Sequence, residues 1–218
     1  MFVKMAWTCA ALAAVFAGTA TAADEAPFFF RGGPAYANFD ASAHVKVAGT
    51  LVAGGDASVS SNTGAEFELG YMLDPRWAVT LAVGIPPRAR FFGAGTLTSA
   101  GKLGEATYGP TVLALLYFPE TNSNLHPYIG GGANYTFIFQ TDDSALTHLK
   151  VNNAFGEALQ FGAEYSLSRR TAIFFDMKKI WLKTDASGFV QTSGGMLPAS
   201  ARVELDPIIL NTGLSFHF

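Results

Sequence analysis

The 218-residue chain holds one cysteine, Cys9, and it falls inside an amino-terminal stretch that reads as a leader. The rest of the chain therefore has no thiol. That excludes disulfides, cysteine-ligated metals and a cysteine nucleophile, in an exported compartment where disulfides would be allowed. Charge is also scarce, at 14% of residues, and it leans acidic: taking Lys4 from the 14 basic side chains leaves 13 against 17 acidic ones, a net −4. Such a chain offers nucleic acid no basic patch, and that partner class is dropped. Long apolar runs are missing as well. Half of the residues are hydrophobic, yet after the leader no run is long enough to cross a bilayer as a helix. Apolar residues without a transmembrane helix point to a transmembrane β-barrel.

The leader itself is short. Met1 to Lys4 carries one positive charge, Met5 to Ala17 is an apolar run too short to span, and Ala20-Thr21-Ala22 supplies the small residues of a cleavage site. No lipobox-like cysteine follows. We therefore divide the chain into a signal peptide, residues 1–22, and one domain, residues 23–218, with a cut after Ala23 as the alternative. About 195 residues remain, enough for one small barrel.

The last stretch, Ile208 to Phe218, sets the pattern. Ile208, Leu210, Thr212, Leu214, Phe216 and Phe218 share one face, and Ile209, Asn211, Gly213, Ser215 and His217 the other. A membrane barrel gives both faces a solvent, lipid outside and lumen inside, and pairing with the first strand removes the last open edge. The row Leu214, Phe216 and Phe218 is also what a barrel-assembly machinery would read as an insertion signal.

Seven further strands follow from alternation. Phe28 to Asn38 is the first, with Pro34 predicting a bulge or distortion. Gly64 to Met72 and Trp77 to Ile85 make a hairpin about Asp74-Pro75, with Tyr71 and Trp77 placed for an interfacial aromatic girdle. Thr107 to Phe118, Pro127 to Phe139, Phe155 to Leu167 and Thr171 to Thr184 come next. The last of these slips at Lys179-Ile180, which suggests a bulge. Ala201 to Phe218 is the eighth. Short turns (Leu73 to Arg76, Pro119 to His126, Ser168 to Arg170) alternate with long Gly- and Ser-rich connections over Phe39–Thr63, Pro86–Glu105, Gln140–Asn153, which could form a short helix, and Asp185–Ser200. The fold class is all-β: an eight-stranded antiparallel transmembrane barrel, both termini periplasmic, with four long extracellular loops.

Four blocks then carry a resemblance. Tyr108-Gly109-Pro110-Thr111 leads to Tyr117-Phe118; Pro127 to Thr136 reads PYIGGGANYT; Asp176 to Thr184 reads DMKKIWLKT; and Leu205-Asp206-Pro207 precedes the last strand. From about Phe28 onward the chain resembles the outer membrane protein W (OmpW) family. The resemblance implies a bacterial outer-membrane protein with a narrow, largely hydrophobic lumen that passes small hydrophobic molecules. It departs from the family pattern in the first strand, the first long loop and at Ile208.

On this register Ala78, Ala82, Val112, Ala114, Leu116, Gly130 and Gly132 line the lumen. Arg31, Glu66, Glu68, Glu164, Asp176 and Lys178 also point inward, where opposite charges pair more cheaply than in lipid. They read as a structural ion-pair layer or as a seal against ions, and not as a catalytic pair. An eight-stranded interior can also simply be filled by side chains, so a plugged barrel with a structural, adhesive or stress-response role stands as the alternative. An outer-membrane lipid-modifying enzyme is the third possibility, and it lacks a Ser–His–acid pattern in any strand. His44, His126, His148 and His217 are dispersed, so neither metal nor cofactor is expected. Membrane lipid, lipopolysaccharide, the assembly machinery and small hydrophobic molecules are the expected partners of a monomer. Intact-mass measurement of the protein purified from outer membranes should give a chain starting at Ala23, or at Asp24 for the alternative cut. A mass that includes residues 1–22 would refute the leader.

Overall fold

The computed structural model describes residues 27–218, so the signal peptide, its cleavage site and Asp24 lie outside the described residues. The described chain is almost entirely strand. Eight strands close a ring: β1 (Phe28–Asn38), β5 (Asn62–Met72), β6 (Trp77–Gly84), β8 (Lys102–Tyr117), β9 (Leu125–Asp143), β11 (Ala154–Ser166), β12 (Thr171–Thr192) and β14 (Ile208–His217). Each pairs antiparallel with its neighbour, and β14 returns to β1 through Phe30↔Phe216 and Arg31↔Ser215. The last rungs join Phe28 and Phe218, each donating its N–H to the other's carbonyl, at 3.1 and 2.8 Å. Closure leaves the ring without an edge, which a sheet in hydrocarbon requires.

Alternation follows from closure. Odd positions of β6, from Trp77 to Val83, are exposed to the outside, while Ala78, Thr80 and Ala82 are buried. The exposed row continues around the ring through Leu69, Leu113, Ile129, Phe161, Phe175 and Leu214. An apolar exterior on this scale suits lipid and not water. Trp77 and Tyr117 meet at 4.9 Å between ring centres beside the short turns, and Tyr135, Phe137 and Phe139 stack farther out. These are the two interfacial aromatic belts.

The long connections are not loops. Six further strands extend the wall outward: β2 (Ser42–Val47), β3 (Thr50–Leu51), β4 (Gly55–Val59), β7 (Arg88–Gly95), β10 (Leu146–Val151) and β13 (Gly195–Glu204). β12 runs the whole height, pairing with β11 and β14 below and with β10 and β13 above. β2 and β3 join through Ala48-Gly49, both at positive φ (50° and 81°), as a two-residue hairpin turn requires. The proposed helix in Gln140–Asn153 is instead the outer end of β9 followed by β10, which pairs with β12. There the Asp143 carboxylate accepts the N–H groups of Leu149 and His148, which hold it below its usual pKa range. Small residues hid these strands, because Gly and Ser mark turns as readily as narrow, twisted sheet.

Three finer expectations change. Pro34 makes no bulge: it pairs with Ala65 in unbroken register, and its cost is two missing rungs towards β14, between Gly32↔Leu214 and Ala35↔Asn211. β12 does not slip, since Leu159↔Lys179 and Ala158↔Ile180 continue the ladder. The lumen changes chemistry at that height, from Lys178 to buried Ile180, and this imitates a slip in the sequence. Finally, the eighth strand is two, β13 and β14, separated at Leu205-Asp206-Pro207 where Asp206 takes φ 34°. Leu81, near the middle of the apolar band, is 45% exposed. Leu81→Arg should lower stability by about 2–4 kcal/mol in vesicle-based urea unfolding, the cost of a cation at the bilayer centre. An unchanged midpoint would place that face away from lipid.

Candidate functional site

The barrel interior has two parts, a charged layer below and an apolar space above. The charged layer is built from alternate residues of five ring strands. Glu66 and Glu68 come from β5, Asp176 and Lys178 from β12, Arg31 from β1, Gln160 and Glu164 from β11, and Tyr128 from β9; all are buried. The Lys178 ammonium donates to Asp176 Oδ1 at 2.5 Å and Glu66 Oε1 at 2.6 Å, and lies 3.4 Å from Glu68 Oε2. Gln160 Nε2 bridges Glu68 and Asp176, and the Tyr128 hydroxyl donates to Asp176 Oδ2 at 2.9 Å. Asn211 of β14 donates to Glu66 at 3.1 Å.

Arg31 is held differently. Its Nε donates to Glu164 Oε1 at 2.7 Å, while Nη1 and Nη2 have no hydrogen-bond partner among the described residues. Ring faces take their place: the guanidinium carbon lies 4.4 Å from the Tyr128 ring centre and 4.5 Å from that of Phe29. Two glycines make room for those rings. A Cβ at Gly70 would lie 2.0 Å from Phe29, and one at Gly162 would lie 2.6 Å from the Tyr128 hydroxyl. At the periplasmic end His217 Nε2 comes within 3.0 Å of Glu164 Oε2. Two cations thus face four carboxylates in a packed layer, which closes the straight route through the barrel.

Above the layer the lumen turns apolar. An inner space reaches down to Glu66 and is bounded by Ala35, Ala37, Ile209, Tyr108 and Pro110. A second, of about 40 Å³, shares Ala37, Tyr108, Pro110 and Ile209 with it and adds Ile180 and Leu182. A third, of about 120 Å³, lies in the outer extension among Val45, Leu97, Leu103, Leu146, Leu149 and Val203. The inner space also touches Gly84, Ile85 and Pro87. Here the ladder is interrupted, since β6–β8 pairing stops at Val83↔Thr111 and β7–β8 pairing resumes only at Arg88↔Thr107. Pro86, Pro87 and Pro110 fall in or beside that interval and bring no N–H.

The six charged residues read from the sequence, Arg31, Glu66, Glu68, Glu164, Asp176 and Lys178, come together in the layer. Ala78, Ala82, Val112, Ala114 and Leu116 are buried, and Ala82, Val112, Ala114 and Leu116 pack with Tyr128, Ala158 and Ile180. Gly130 is half-buried and Gly132 exposed, and a Cβ at either would run into the backbone of β8. None of these seven borders the apolar spaces. Leu214, Phe216 and Phe218 lie on the exposed outer face. Sequence reasoning missed Gln160, Tyr128 and His217 as members of the layer, and it missed the outer apolar lining altogether. For the lining the available trace was alternation such as Val45/Val47 and Ala199/Ala201/Val203.

A closed ring with lipid outside and a sealed, partly apolar lumen defines a small transmembrane barrel. Proteins to which the chain is similar agree. The chain matches the OmpW family over residues 24–218, and it belongs to that family. It is 40% identical over 198 residues to a dibenzothiophene metabolism operon protein, PahQ, of Pseudomonas aeruginosa, covering 91% of this chain and 92% of that one. Outer membrane protein AlkL of Ectopseudomonas oleovorans is 32% identical over 80% of this chain and 74% of its own. The crystal structure of outer membrane protein OprG from Pseudomonas aeruginosa superposes with a TM-score of 0.83 at 28% identity, over 89% of this chain and 97% of that one. The protein is an outer-membrane β-barrel of Gram-negative type.

Removing one partner from a buried ion cluster strands the others. Lys178→Met should lower barrel stability by about 3–5 kcal/mol, read as a lower urea midpoint in detergent. Lys183→Ala, which breaks an exposed pair with Glu204, should leave the midpoint where it was. Equal shifts in the two variants would mean that the layer is hydrated.

Proposed function

We propose that the protein is a conduit for small hydrophobic molecules, which enter the outer apolar space, descend to the charged layer and leave sideways. The observation that carries this reading is the file of apolar spaces ending on buried Glu66. An apolar solute gains by leaving water for such a lining, about 25 cal/mol per Å² of buried surface. It meets a steep desolvation penalty at the charges below, where their hydrogen bonds would have to be broken to let it by. The proline-interrupted interval between β6, β7 and β8 is the opening to lipid that lies beside the innermost space. Support comes from the 40% identical relative, named for an operon of dibenzothiophene metabolism. Dibenzothiophene is a flat, fused-ring apolar compound of the kind such a lining accommodates.

The remaining assignments rest on the same frame. Residues 1–22 serve as the export signal, and the outward row Leu214, Phe216 and Phe218 serves the assembly machinery. The barrel works as a monomer among lipid and lipopolysaccharide, without catalysis, metal or cofactor. Dispersal of the histidines and engagement of the buried carboxylates with Lys178 and Arg31 support the non-enzymatic reading. A second reading is a sealed barrel with a structural or adhesive role, and the closed charged layer is what favours it.

Ala37 borders both inner spaces with no more than a methyl group. Ala37→Trp should bring dibenzothiophene uptake by cells down to that of cells lacking the protein, with normal amounts of heat-modifiable barrel on gels. Undiminished uptake in the variant would refute the route. No difference between wild type and deletion would favour the sealed barrel.

A further inference from the structure

The middle and outer apolar spaces are separate, and among the described residues two side chains, Phe91 and Val151, border both. They come from different parts of the wall, Phe91 from β7 and Val151 from the end of β10, with β8, β9, β11 and β12 between those strands in the ladder order. A solute moving directly from one space to the other passes these two side chains. Their surroundings differ in stiffness. Val151 is β-branched, with a restricted χ1, and its backbone is paired with Ala186 of the full-height strand β12. Phe91 sits at an irregularity: it pairs with Gly104, whereas Phe92 pairs with Lys102, so Leu103 is the extra residue of a bulge.

The residue paired with Phe91, Gly104, has no side chain of its own, and Leu149 packs into the place where one would stand. A Cβ there would lie 2.4 Å from Leu149 Cδ2 and 2.9 Å from the Asp142 carbonyl oxygen. No side chain on β8 therefore flanks the Phe91 ring from that pairing site. Phe91 is only half-buried, and its other cross-strand partner, Val59, borders the middle space. A ring that is half-buried and borders free volume on two sides can turn about χ1 and χ2. Val151, with its backbone paired to Ala186, keeps its place.

We infer that Phe91 and Val151 form the size filter of the conduit, a turning ring against a fixed branched side chain, which admits flat fused-ring molecules and retards thick ones. This rests on the conduit reading above. The class selected is planar aromatic hydrocarbon over cage hydrocarbon of equal carbon number, because a plate passes a slit that a sphere of the same volume does not.

The test compares naphthalene with adamantane, flat and cage-shaped molecules of matched carbon number, as radiolabelled probes taken up by cells making the full-length protein. Wild type should favour naphthalene. Phe91→Ala should raise the adamantane-to-naphthalene ratio about three- to tenfold, the rate equivalent of sparing the ring an off-rotamer turn. Val151→Ala should move the ratio the same way, and Phe91→Trp should move it down. If Phe91→Ala does not accumulate as heat-modifiable barrel, Phe91→Leu serves in its place. An unchanged ratio across these variants, with both probes still taken up above the deletion level, overturns the filter and leaves the conduit standing. Uptake of both probes at the deletion level in wild type overturns the conduit, and the filter with it.

Discussion

Everything in this molecule depends on the requirement that no backbone N–H or C=O face hydrocarbon unpaired. Eight strands meet it only by closing, and the Phe28–Phe218 rungs complete the closure. Once the ring is closed, the period-two pleat sends every second side chain into an interior just wide enough for side chains to fill. Glu66, Glu68, Asp176 and Lys178 are inward because outward positions would put them in lipid, and inside they must satisfy one another. The charged layer is thus a consequence of narrowness as much as a device.

That layer also decides the shape of any path. Buried ion pairs bring little net stability once desolvation is counted, but breaking one is costly. Lys178 holds three carboxylates, and Arg31 lies among the rings of Phe29 and Tyr128, so no single side chain can move aside without stranding its partners. A passage that opened the layer would break several such contacts together. The apolar spaces above need no comparable disruption, since their lining loses only dispersion contacts when a solute enters and regains them from the solute. The same interior therefore accounts for the plug and for the pocket, and the two sequence-based alternatives, filled lumen and hydrophobic lumen, describe its lower and upper halves.

How much of this could be read in the chain divides along the same height. Inside the bilayer the two solvents, lipid and lumen, differ so strongly that alternation is clean, as in Trp77 to Gly84, and the ring strands and the inward charges were legible. Above the bilayer the outer face meets water and the inner face is apolar but small, as in Ala199, Ala201 and Val203. Contrast falls, Gly and Ser dominate, and β2, β3, β4, β7, β10 and β13 read as loops. Partners across the lumen were illegible for a different reason. Arg31 and Glu164 are 133 positions apart, and no local pattern says that β1 and β11 face each other. Their meeting, and that of Gln160 with Glu68, depends on strand tilt and shear, which only the closed ring fixes.

The proline interval shows how closure can be relaxed where a path would need it. A missing rung in a membrane wall leaves donors and acceptors unsatisfied, and each costs several kcal/mol in hydrocarbon. Pro86, Pro87 and Pro110 lower that cost because they contribute no N–H to be stranded. The neighbouring groups find other partners: Ile85 donates to the Ala65 carbonyl at 2.8 Å, and Tyr108 donates to the Pro87 carbonyl at 3.2 Å. Because so few donors lose a partner there, separation of β8 from β6 and β7 at this height exposes less unpaired backbone than separation of two fully laddered strands would. The interval also lies beside the innermost apolar space and just above Glu66. On the proposed route, a solute at Ala37 would meet the charged layer below it and this interval at its side, and leaving sideways would break fewer hydrogen bonds than descending.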